Sequence, residues 1–236
     1  MKICHLPNQR ILYDKELISE SVESCFDVKY WHSQDRVIGS AQGRGTTWFV
    51  EMTTLPAALR HYYRGGLFGK LIKDHYWFCG WSNTRSFQEF NLLHELHKLG
   101  VHVPRPIAAR SVKRMFCYKA DILTEKINNA RDLVDILQVS TLASDIYLQI
   151  GMEVRKLHDA NVNHTDLNIH NILLDVNNKV WIIDFDKCYK NDSLNKTWKK
   201  SNLERLERSF HKELKKSNIF WKEDSDWAAF KAGYNQ

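Results

Sequence analysis

Three polar residues stand at fixed intervals directly before an apolar run in the segment HTDLNIHNILLD, residues 164–175. His164, Asp166 and Asn171 follow the pattern H-x-D-x-x-x-x-N, and a further aspartate, Asp184, ends the next apolar run, KVWIID. A positioned carboxylate can accept the proton of an attacking hydroxyl group, and amide and carboxylate oxygens are ligands that Mg²⁺ prefers. Residues of these types at this spacing are therefore candidates for proton transfer or cation binding.

The same residues also have a purely structural interpretation. Asp166 would cap a turn, Asn171 would satisfy loop backbone, and His164 would be a packed core histidine. For His164 we accept this structural interpretation in part. For Asp166 and Asp184 the chemical interpretation is favoured, because an unpaired carboxylate beside a buried strand is costly unless a cation compensates it.

The elements around this segment must hold its acidic positions in a fixed relation. The runs NILL and KVWIID indicate a hairpin joined around Asn177 and Asn178, which tolerate the left-handed conformation of a tight turn. Apolar residues at helical spacing predict one helix before the hairpin, in SDIYLQIGMEVRKLHDA, and another after it, in SNLERLERSFHKEL. Ser201 and Glu204 form a capping-box pattern at the start of the second helix.

The first half of the chain is predicted to be mostly β-sheet. The runs VIGSA, TTWFVEM and PAALRHYY indicate strands, with a glycine-rich turn between the first two. The segment MFCYKADILTEKI predicts two more strands separated by a tight turn. Residues 85–99 predict one amphipathic helix that carries Leu92, Leu96 and Leu99 on its apolar stripe and stops at Gly100.

The change from sheet-like to helical composition near residues 125–132 predicts a hinge. We expect an N-terminal lobe of residues 1–126 and a C-terminal lobe of residues 127–236. The predicted fold class is α+β, with an antiparallel sheet and one helix in the first lobe and mainly helices in the second.

Composition limits the partners and the compartment. A net charge of +6 and a pI near 9.0 favour an anionic partner. The five cysteines are an odd number without a C-x-x-C pair, which argues against a disulfide framework or a zinc cluster and favours a reducing cytoplasm. No apolar run approaches the ~20 residues that span a bilayer, so we expect a protein that is neither exported nor integral to the membrane.

The order of these motifs resembles the protein-kinase-like fold, in which the H-x-D-x-x-x-x-N loop precedes a D-F-G segment. Here the second motif reads DFDK from Asp184, and LRHYYRGGL lies near residue 60. Both forms are similar to the lipopolysaccharide kinases that act on 3-deoxy-D-manno-octulosonic acid (Kdo) and heptose. The resemblance covers most of residues 36–236.

This resemblance implies ATP and Mg²⁺ as cofactors and assigns roles to the motif residues. Asp166 would orient the acceptor hydroxyl and accept its proton, while Asn171 and Asp184 would hold the metal. Gly43 and Gly45 are the candidates for a loop that covers the ATP phosphates.

The lysine of the protein-kinase V-A-I-K motif is absent, and Arg60 stands at the matching place. Arginine can clamp phosphate oxygens through its planar fork, so Arg60 is assigned this role, with Lys70 and Lys73 as rivals. Glu89 is the preferred helix partner of the cation, and Glu95 is the second choice.

The resemblance further implies an acceptor and a location. The γ-phosphate of ATP would pass to a hydroxyl, taken as O4, of a Kdo-lipid A type glycolipid at the cytoplasmic face of the bacterial inner membrane. Arg64 is the candidate contact for an anionic group of this acceptor. The aromatic segment 61–81 and the basic residues between Lys196 and Arg208 are candidate contacts with an anionic inner-membrane surface. Neither nucleic acid nor an obligate protein partner is expected.

Two departures from protein kinases bear on acceptor and regulation. The triplet HTD lacks the usual arginine and no A-P-E segment follows, which disfavours a peptide substrate. Asp186 replaces the glycine of D-F-G, and aspartate enters the left-handed region less readily than glycine. We therefore expect a loop that resists the flip of regulated kinases, and constitutive activity.

Three alternatives remain open from the sequence alone. The chain could be a heptose kinase of the same family, or a small basic kinase or ATPase associated with tRNA modification. The missing lysine also admits a pseudokinase that serves only as an interaction module.

Overall fold

The structure is a computed structural model and describes residues 1–43, 45–65 and 74–236. The chain forms two compact units, which we describe separately. The first unit comprises residues 1–94 and 105–127, and the second comprises residues 95–104 and 128–236.

The first unit is built on an antiparallel sheet. Its strands are β1 (Lys2–Leu6), β2 (Gln9–Tyr13), β3 (Val37–Gln42), β4 (Thr46–Glu51), β5 (Pro56–His61), β6 (Tyr76–Trp77), β7 (Pro106–Arg114) and β8 (Cys117–Glu125). They pair in the order β1-β2-β7-β8-β5-β4-β3, and β6 also pairs with β8. The central strands β7 and β8 contain the buried runs Ile107–Ala109 and Ile122–Leu123, which explains why the core lies against them.

In the described part of this unit, the α-helices α1 (Val28–Ser33) and α2 (Arg85–Lys98) accompany the sheet. Helix α2 confirms the predicted helix to within one residue, and Leu92 and Leu96 are buried on its apolar stripe. Leu99 was wrongly placed on that stripe, because it follows the last helical residue and is 58% exposed. Gly100 has φ +75°, a left-handed conformation that ends the helix at the predicted position.

One prediction for the first half needs correction. The segment MFCYKADILTEKI contains one strand, β8, and its hairpin partner β7 lies before the turn at Met115 and Phe116. The first 35 residues, in which no motif was found, form the hairpin β1-β2, whose second strand extends the sheet next to β7.

The second unit is mainly helical, as predicted. Its helices are α3 (Leu133–Leu137), α4 (Ser144–Asp159), α5 (Thr197–Ser217) and α6 (Ala228–Tyr234). Its strands are β9 (Arg131–Asp132), β10 (Val162–Asn163), β11 (Ile172–Leu174), β12 (Val180–Ile182) and β13 (Tyr189–Lys190). The predicted α+β class, with a sheet-rich first part and a helical second part, is confirmed.

Helices α4 and α6 pack with their backbones in close contact. A Cβ on Gly151 would lie 2.1 Å from the carbonyl oxygen of Phe230, and a Cβ on Gly233 would lie 1.9 Å from that of Leu148. Any side chain at either position would force the helices apart. The closing Gly-Tyr segment of the chain is thus part of the core of the second unit.

Helix α5 begins earlier than the sequence pattern indicated. It starts at Thr197, so Ser201 and Glu204 lie inside the helix and the predicted capping box is wrong. Glu204 Oε1 instead lies 3.7 Å from Lys200 Nζ, and its Oε2 lies 3.8 Å from Arg208 Nη1. Glu204 thus forms ion pairs with residues one helical turn before and one turn after it.

Candidate functional site

The hairpin β11-β12 fixes the relation between the two predicted metal ligands. Its register pairs Ile172 with Ile182, and the turn forms at Asn178, which has φ 59° as expected for a left-handed position. The backbone N–H of Ile183 donates to the carbonyl of Asn171 at 3.0 Å. Asn171 and Asp184 therefore leave the same end of one short hairpin.

The loop that carries Asp166 is closed by two asparagine side chains. The amide nitrogens of Asn168 and Asn171 donate to the backbone carbonyl of Asp166 at 2.8 and 2.9 Å. This contact occupies the nitrogen end of the Asn171 amide and leaves its oxygen as the group able to bind a cation. The same residue thus shapes the loop and offers a ligand atom.

His164 connects this loop to the strand that precedes Asp184. Its Nε2 lies 3.0 Å from the carbonyl oxygen of Ile183, which can only accept, so Nε2 carries the proton. The ring is fully buried, burial lowers its pKa, and it packs edge-on against Phe185 at 4.9 Å. A neutral buried ring of this kind fits the packed core histidine of the structural interpretation, and the role of His164 as a support for the loop stays a prediction.

The carboxylates of Asp166 and Asp184 are both exposed. Within residues 1–43, 45–65 and 74–236, no ion pair engages Asp166. Asp184 has φ 62°, a left-handed conformation that most non-glycine residues avoid. The left-handed residues of the DFDK segment are Asp184 and Lys187, not Asp186, whose φ is not positive. The effect of Asp186 on loop flipping and constitutive activity stays a prediction.

Helix α5 anchors the loop at several points along one face. The side-chain oxygen of Asn202 accepts the backbone N–H of His164 at 3.1 Å, and the hydroxyl of Ser209 accepts that of Ile169 at 2.9 Å. One turn further, the almost fully buried Glu213 lies 3.5 Å from His170. Burial favours protonation of Glu213, yet Ser217, Lys216 and His170 together lower its pKa, so the carboxylate is charged.

These anchoring residues were missed in the sequence. Asn202, Ser209 and Glu213 lie seven and four residues apart, on the same stripe as the buried Leu206 and Phe210. Polar residues on the apolar face of an amphipathic helix are the signal that could have found them, since a buried polar group requires a partner.

His158 joins three helices beneath the loop. Its ring nitrogens lie 2.7 Å from the Tyr234 hydroxyl and 3.3 Å from the Asn202 side-chain oxygen. Burial lowers the pKa of His158 to about 4, from an ordinary value of 6.5. The folded protein therefore keeps this ring neutral in a pH range in which the same histidine of the unfolded chain takes up a proton.

The expected consequence is a loss of stability in mild acid. Because the folded pKa is depressed, the contribution of His158 is present above pH 6.5 and is lost as pH falls toward 4, by about 2 kcal/mol between pH 7 and pH 5. Denaturant unfolding at both pH values should show a smaller loss for His158→Gln than for the wild type. His97→Gln, an exposed control, should retain the full loss; equal losses in all three proteins would contradict the assignment.

In the first unit, the structure brings Arg60 and Glu89 together. Arg60 Nη2 lies 2.6 Å from Glu89 Oε1, and the Tyr62 hydroxyl donates to Glu89 Oε2 at 2.6 Å. Glu89 on α2 is 5% exposed, so both carboxylate oxygens are bound in a largely dry environment. Glu95, the second choice, belongs to the second unit and pairs there with Lys190. The role of Arg60 toward ATP stays a prediction.

The other predicted binding residues have identifiable surroundings. The N–H of Gly43 donates to the carbonyl of Gly45 at 3.0 Å, and a Cβ on Gly45 would lie 2.2 Å from the Tyr63 ring. The absence of a side chain at Gly45 is thus required by packing alone. Arg64 donates to the His75 carbonyl at 2.7 Å and lies over the Tyr76 ring. Lys70 and Lys73 lie outside the described residues.

Comparison with known proteins identifies the family. The sequence model of the lipopolysaccharide kinase (Kdo/WaaP) family matches residues 28–234. The chain belongs to this family. Members of this family have a protein-kinase-like fold. The protein is therefore an ATP-dependent phosphotransferase with an alcohol group as acceptor. Of the alternatives drawn from the sequence, membership of this family selects a lipopolysaccharide kinase over a tRNA-associated kinase or a non-catalytic module.

Several relatives of this lipopolysaccharide kinase carry the name 3-deoxy-D-manno-octulosonic acid kinase. That of Vibrio parahaemolyticus is 61% identical over 216 residues, which cover 92% of this chain and 90% of the relative. One from Vibrio vulnificus is 56% identical, covering 95% and 94%, and one from Haemophilus influenzae is 49% identical, covering 97% of each. Among solved structures, the Cydia pomonella granulovirus kinase PK-1 aligns with a TM-score of 0.47 and 12% identity, over 66% of this chain and 53% of that chain.

The contact between Ser209 and the loop leads to a test of positioning. Ser209→Ala removes the acceptor of the Ile169 N–H and should loosen the turn that carries Asn171. We expect kcat to fall roughly tenfold with little change in KM for ATP, because small displacements of reacting groups are costly. Steady-state kinetics check this, with the exposed Ser201→Ala on the same helix as control. A change confined to KM would contradict a positioning role.

The Arg60–Glu89 pair leads to a second test. Glu89→Gln keeps the shape of the side chain but removes the charge that holds Arg60, so KM for ATP should rise roughly tenfold. Glu95→Gln, at an acid on the same helix that pairs elsewhere, should leave KM unchanged. If Glu89→Gln only lowers the melting temperature and leaves KM as in the wild type, the pair has a structural role alone.

Proposed function

We propose that this lipopolysaccharide kinase transfers the γ-phosphate of ATP to a hydroxyl of Kdo, taken as O4, on a lipid A precursor during inner-core synthesis. The observation that carries the proposal is the identity of 48–61% to proteins named 3-deoxy-D-manno-octulosonic acid kinase, over at least 90% of their length for the relatives given above. Similarity of this extent over nearly whole chains favours a shared acceptor class.

In this reaction Asp166 would take the proton of the acceptor hydroxyl. The loop that carries its exposed carboxylate is held by the Asn168 and Asn171 amides, which donate to the Asp166 backbone carbonyl, and by the bond from His164 to Ile183, so positioning is provided by the loop itself. Asn171 and Asp184 would hold Mg²⁺, and their amide and carboxylate oxygens suit a hard cation. When bound, the metal would neutralise charge on the transferring phosphoryl group.

The remaining proposed contacts involve anions. Arg60 would contact ATP phosphates through its guanidinium, and Gly43 and Gly45 would form the turn that covers them. Arg64 would meet the Kdo carboxylate or a lipid A phosphate. Such an acceptor lies in a membrane, and we propose that the protein works at the cytoplasmic face of the inner membrane. Of the helices in the described part of the chain, none has the length and hydropathy needed to cross a bilayer.

The test is a transfer assay with two acceptors. The protein is incubated with ATP, Mg²⁺ and either a Kdo-lipid A or a heptose-containing lipid A acceptor, and the product is analysed by mass spectrometry and ³¹P NMR. We expect one phosphate on the Kdo residue, at O4, and none on heptose. Phosphate on heptose alone, or no product with either acceptor, would contradict the proposal.

A further inference from the structure

Among the described residues of the first unit, the most exposed apolar side chains gather at one end of the sheet. Met115 is 82% exposed, and Trp77 and Phe116 are each 68% exposed. The rings of Trp77 and Phe116 stack at 6.2 Å with an interplanar angle of 15°. Isolated exposed apolar residues are ordinary, but three together at one place on a protein surface mark a contact site.

This group is held by the sheet. Strand β6 pairs with β8 so that Trp77 lies opposite Cys117, and the N–H of Phe78 donates to the carbonyl of Phe116 at 2.9 Å. Met115 has φ 53° in the turn between β7 and β8. The paired strands hold these apolar side chains in water, which costs free energy. A partner that covers them would recover this free energy.

Basic residues surround the apolar group. The Lys113 ammonium lies 4.8 Å from the Phe78 ring centre, Arg114 is exposed at the turn, and the Arg10 guanidinium lies 4.8 Å from the Trp81 ring centre. The segments that build this end of the sheet, residues 6–10, 76–82 and 111–119, contain no aspartate or glutamate. The nearby Lys119 is already neutralised by Asp74 at 2.7 Å.

We propose that this surface, the hairpin-tip patch of Trp77, Met115, Phe116, Lys113 and Arg114, docks the protein on an anionic phospholipid bilayer. Aromatic and apolar side chains would enter the headgroup region while the cations meet lipid phosphates. Trp77 and Phe116 stack on each other, which covers part of the ring faces that a nucleic-acid base would need. The inference rests on the proposed function only in that the acceptor is a lipid.

Vesicle co-sedimentation of the full chain tests this inference. We expect binding to phosphatidylglycerol-containing vesicles, weak binding to pure phosphatidylcholine, and roughly a tenfold or greater loss of binding in both Trp77→Ser/Phe116→Ser and Lys113→Gln/Arg114→Gln. Phe220→Ser, at a 51% exposed phenylalanine in the second unit, is the matched control and should bind as the wild type does.

Two readouts separate this inference from the proposed function. Each variant should keep the wild-type melting temperature and phosphorylate a water-soluble Kdo acceptor at the wild-type rate, while activity on vesicle-embedded acceptor falls. Wild-type binding by both patch variants, equal binding to neutral and anionic vesicles, or no vesicle binding by the wild type would overturn the inference. The soluble-acceptor activity would still decide the proposed function in each of these cases.

Discussion

Replacing Asp166 by asparagine is expected to lower kcat roughly a thousandfold without unfolding the protein. The substitution removes the proposed proton acceptor but keeps the size of the side chain, and general bases contribute about 10²–10⁴-fold to rates. Asp166 is exposed, and the loop is held through its backbone carbonyl, which the substitution leaves unchanged. Single-turnover transfer of the ATP γ-phosphate to Kdo-lipid A measures the effect.

The matched control is Asp192→Asn, an exposed aspartate in the same unit that belongs to no motif. Its rate and melting temperature should equal those of the wild type. The metal concentration that half-saturates activity should also stay the same in Asp166→Asn, because the proposed ligands are untouched. Wild-type turnover in Asp166→Asn would show that the loop has been misassigned.

Asp184→Asn is expected to cause the second largest loss, about a hundredfold or more in kcat, together with a higher metal requirement. The substitution exchanges the proposed anionic ligand for a neutral one, so Mg²⁺ should bind less tightly and stabilise less charge in the transition state. Activity titrated with Mg²⁺ at saturating ATP measures both effects. Partial recovery at high Mg²⁺ distinguishes this variant from Asp166→Asn.

The effect of Asp184→Asn on stability distinguishes a metal-binding role of Asp184 from a purely structural one. Because its φ of 62° is easier for asparagine than for aspartate, Asp184→Asn should be at least as stable as the wild type. A large fall in melting temperature together with an unchanged metal requirement would contradict the assignment of Asp184 as a ligand.

Much of the second unit could be predicted because its signals are local. The hairpin at Asn178 follows from turn chemistry, and helix α4 follows from apolar residues at helical spacing. The relation between Asn171 and Asp184 could be inferred for the same reason, since a two-stranded hairpin fixes which residues lie opposite each other.

Other features depend on contacts that a local pattern does not contain. Helix α5 starts before the capping-box pattern at Ser201, and Trp198 in its first turn is buried, so tertiary packing extends the helix. The hydrogen bonds from Asn202 and Ser209 to the loop span 38 and 40 residues of sequence. Their partners became identifiable only when the fold had brought the helix against the loop.

The structure of the first 35 residues also depends on contacts that a local sequence pattern does not contain. They carry no catalytic motif, yet Trp31 is fully buried and its indole N–H donates to the Cys25 carbonyl at 2.9 Å. The hairpin β1-β2 joins the sheet by pairing with β7, which lies about a hundred residues later in the chain. A long-range pairing of this kind has no signature within the segment itself.

We propose that Asp166, in the loop before the hairpin β11-β12, and Asp184, at the end of that hairpin, act as one unit, and a double-mutant cycle tests this most directly. Single-turnover rates are measured for the wild type, Asp166→Asn, Asp184→Asn and the double variant. Residues that act together are strongly non-additive, so the double variant should lose little more than Asp166→Asn alone. If the two losses multiply in the double variant, the carboxylates act independently and the account is wrong.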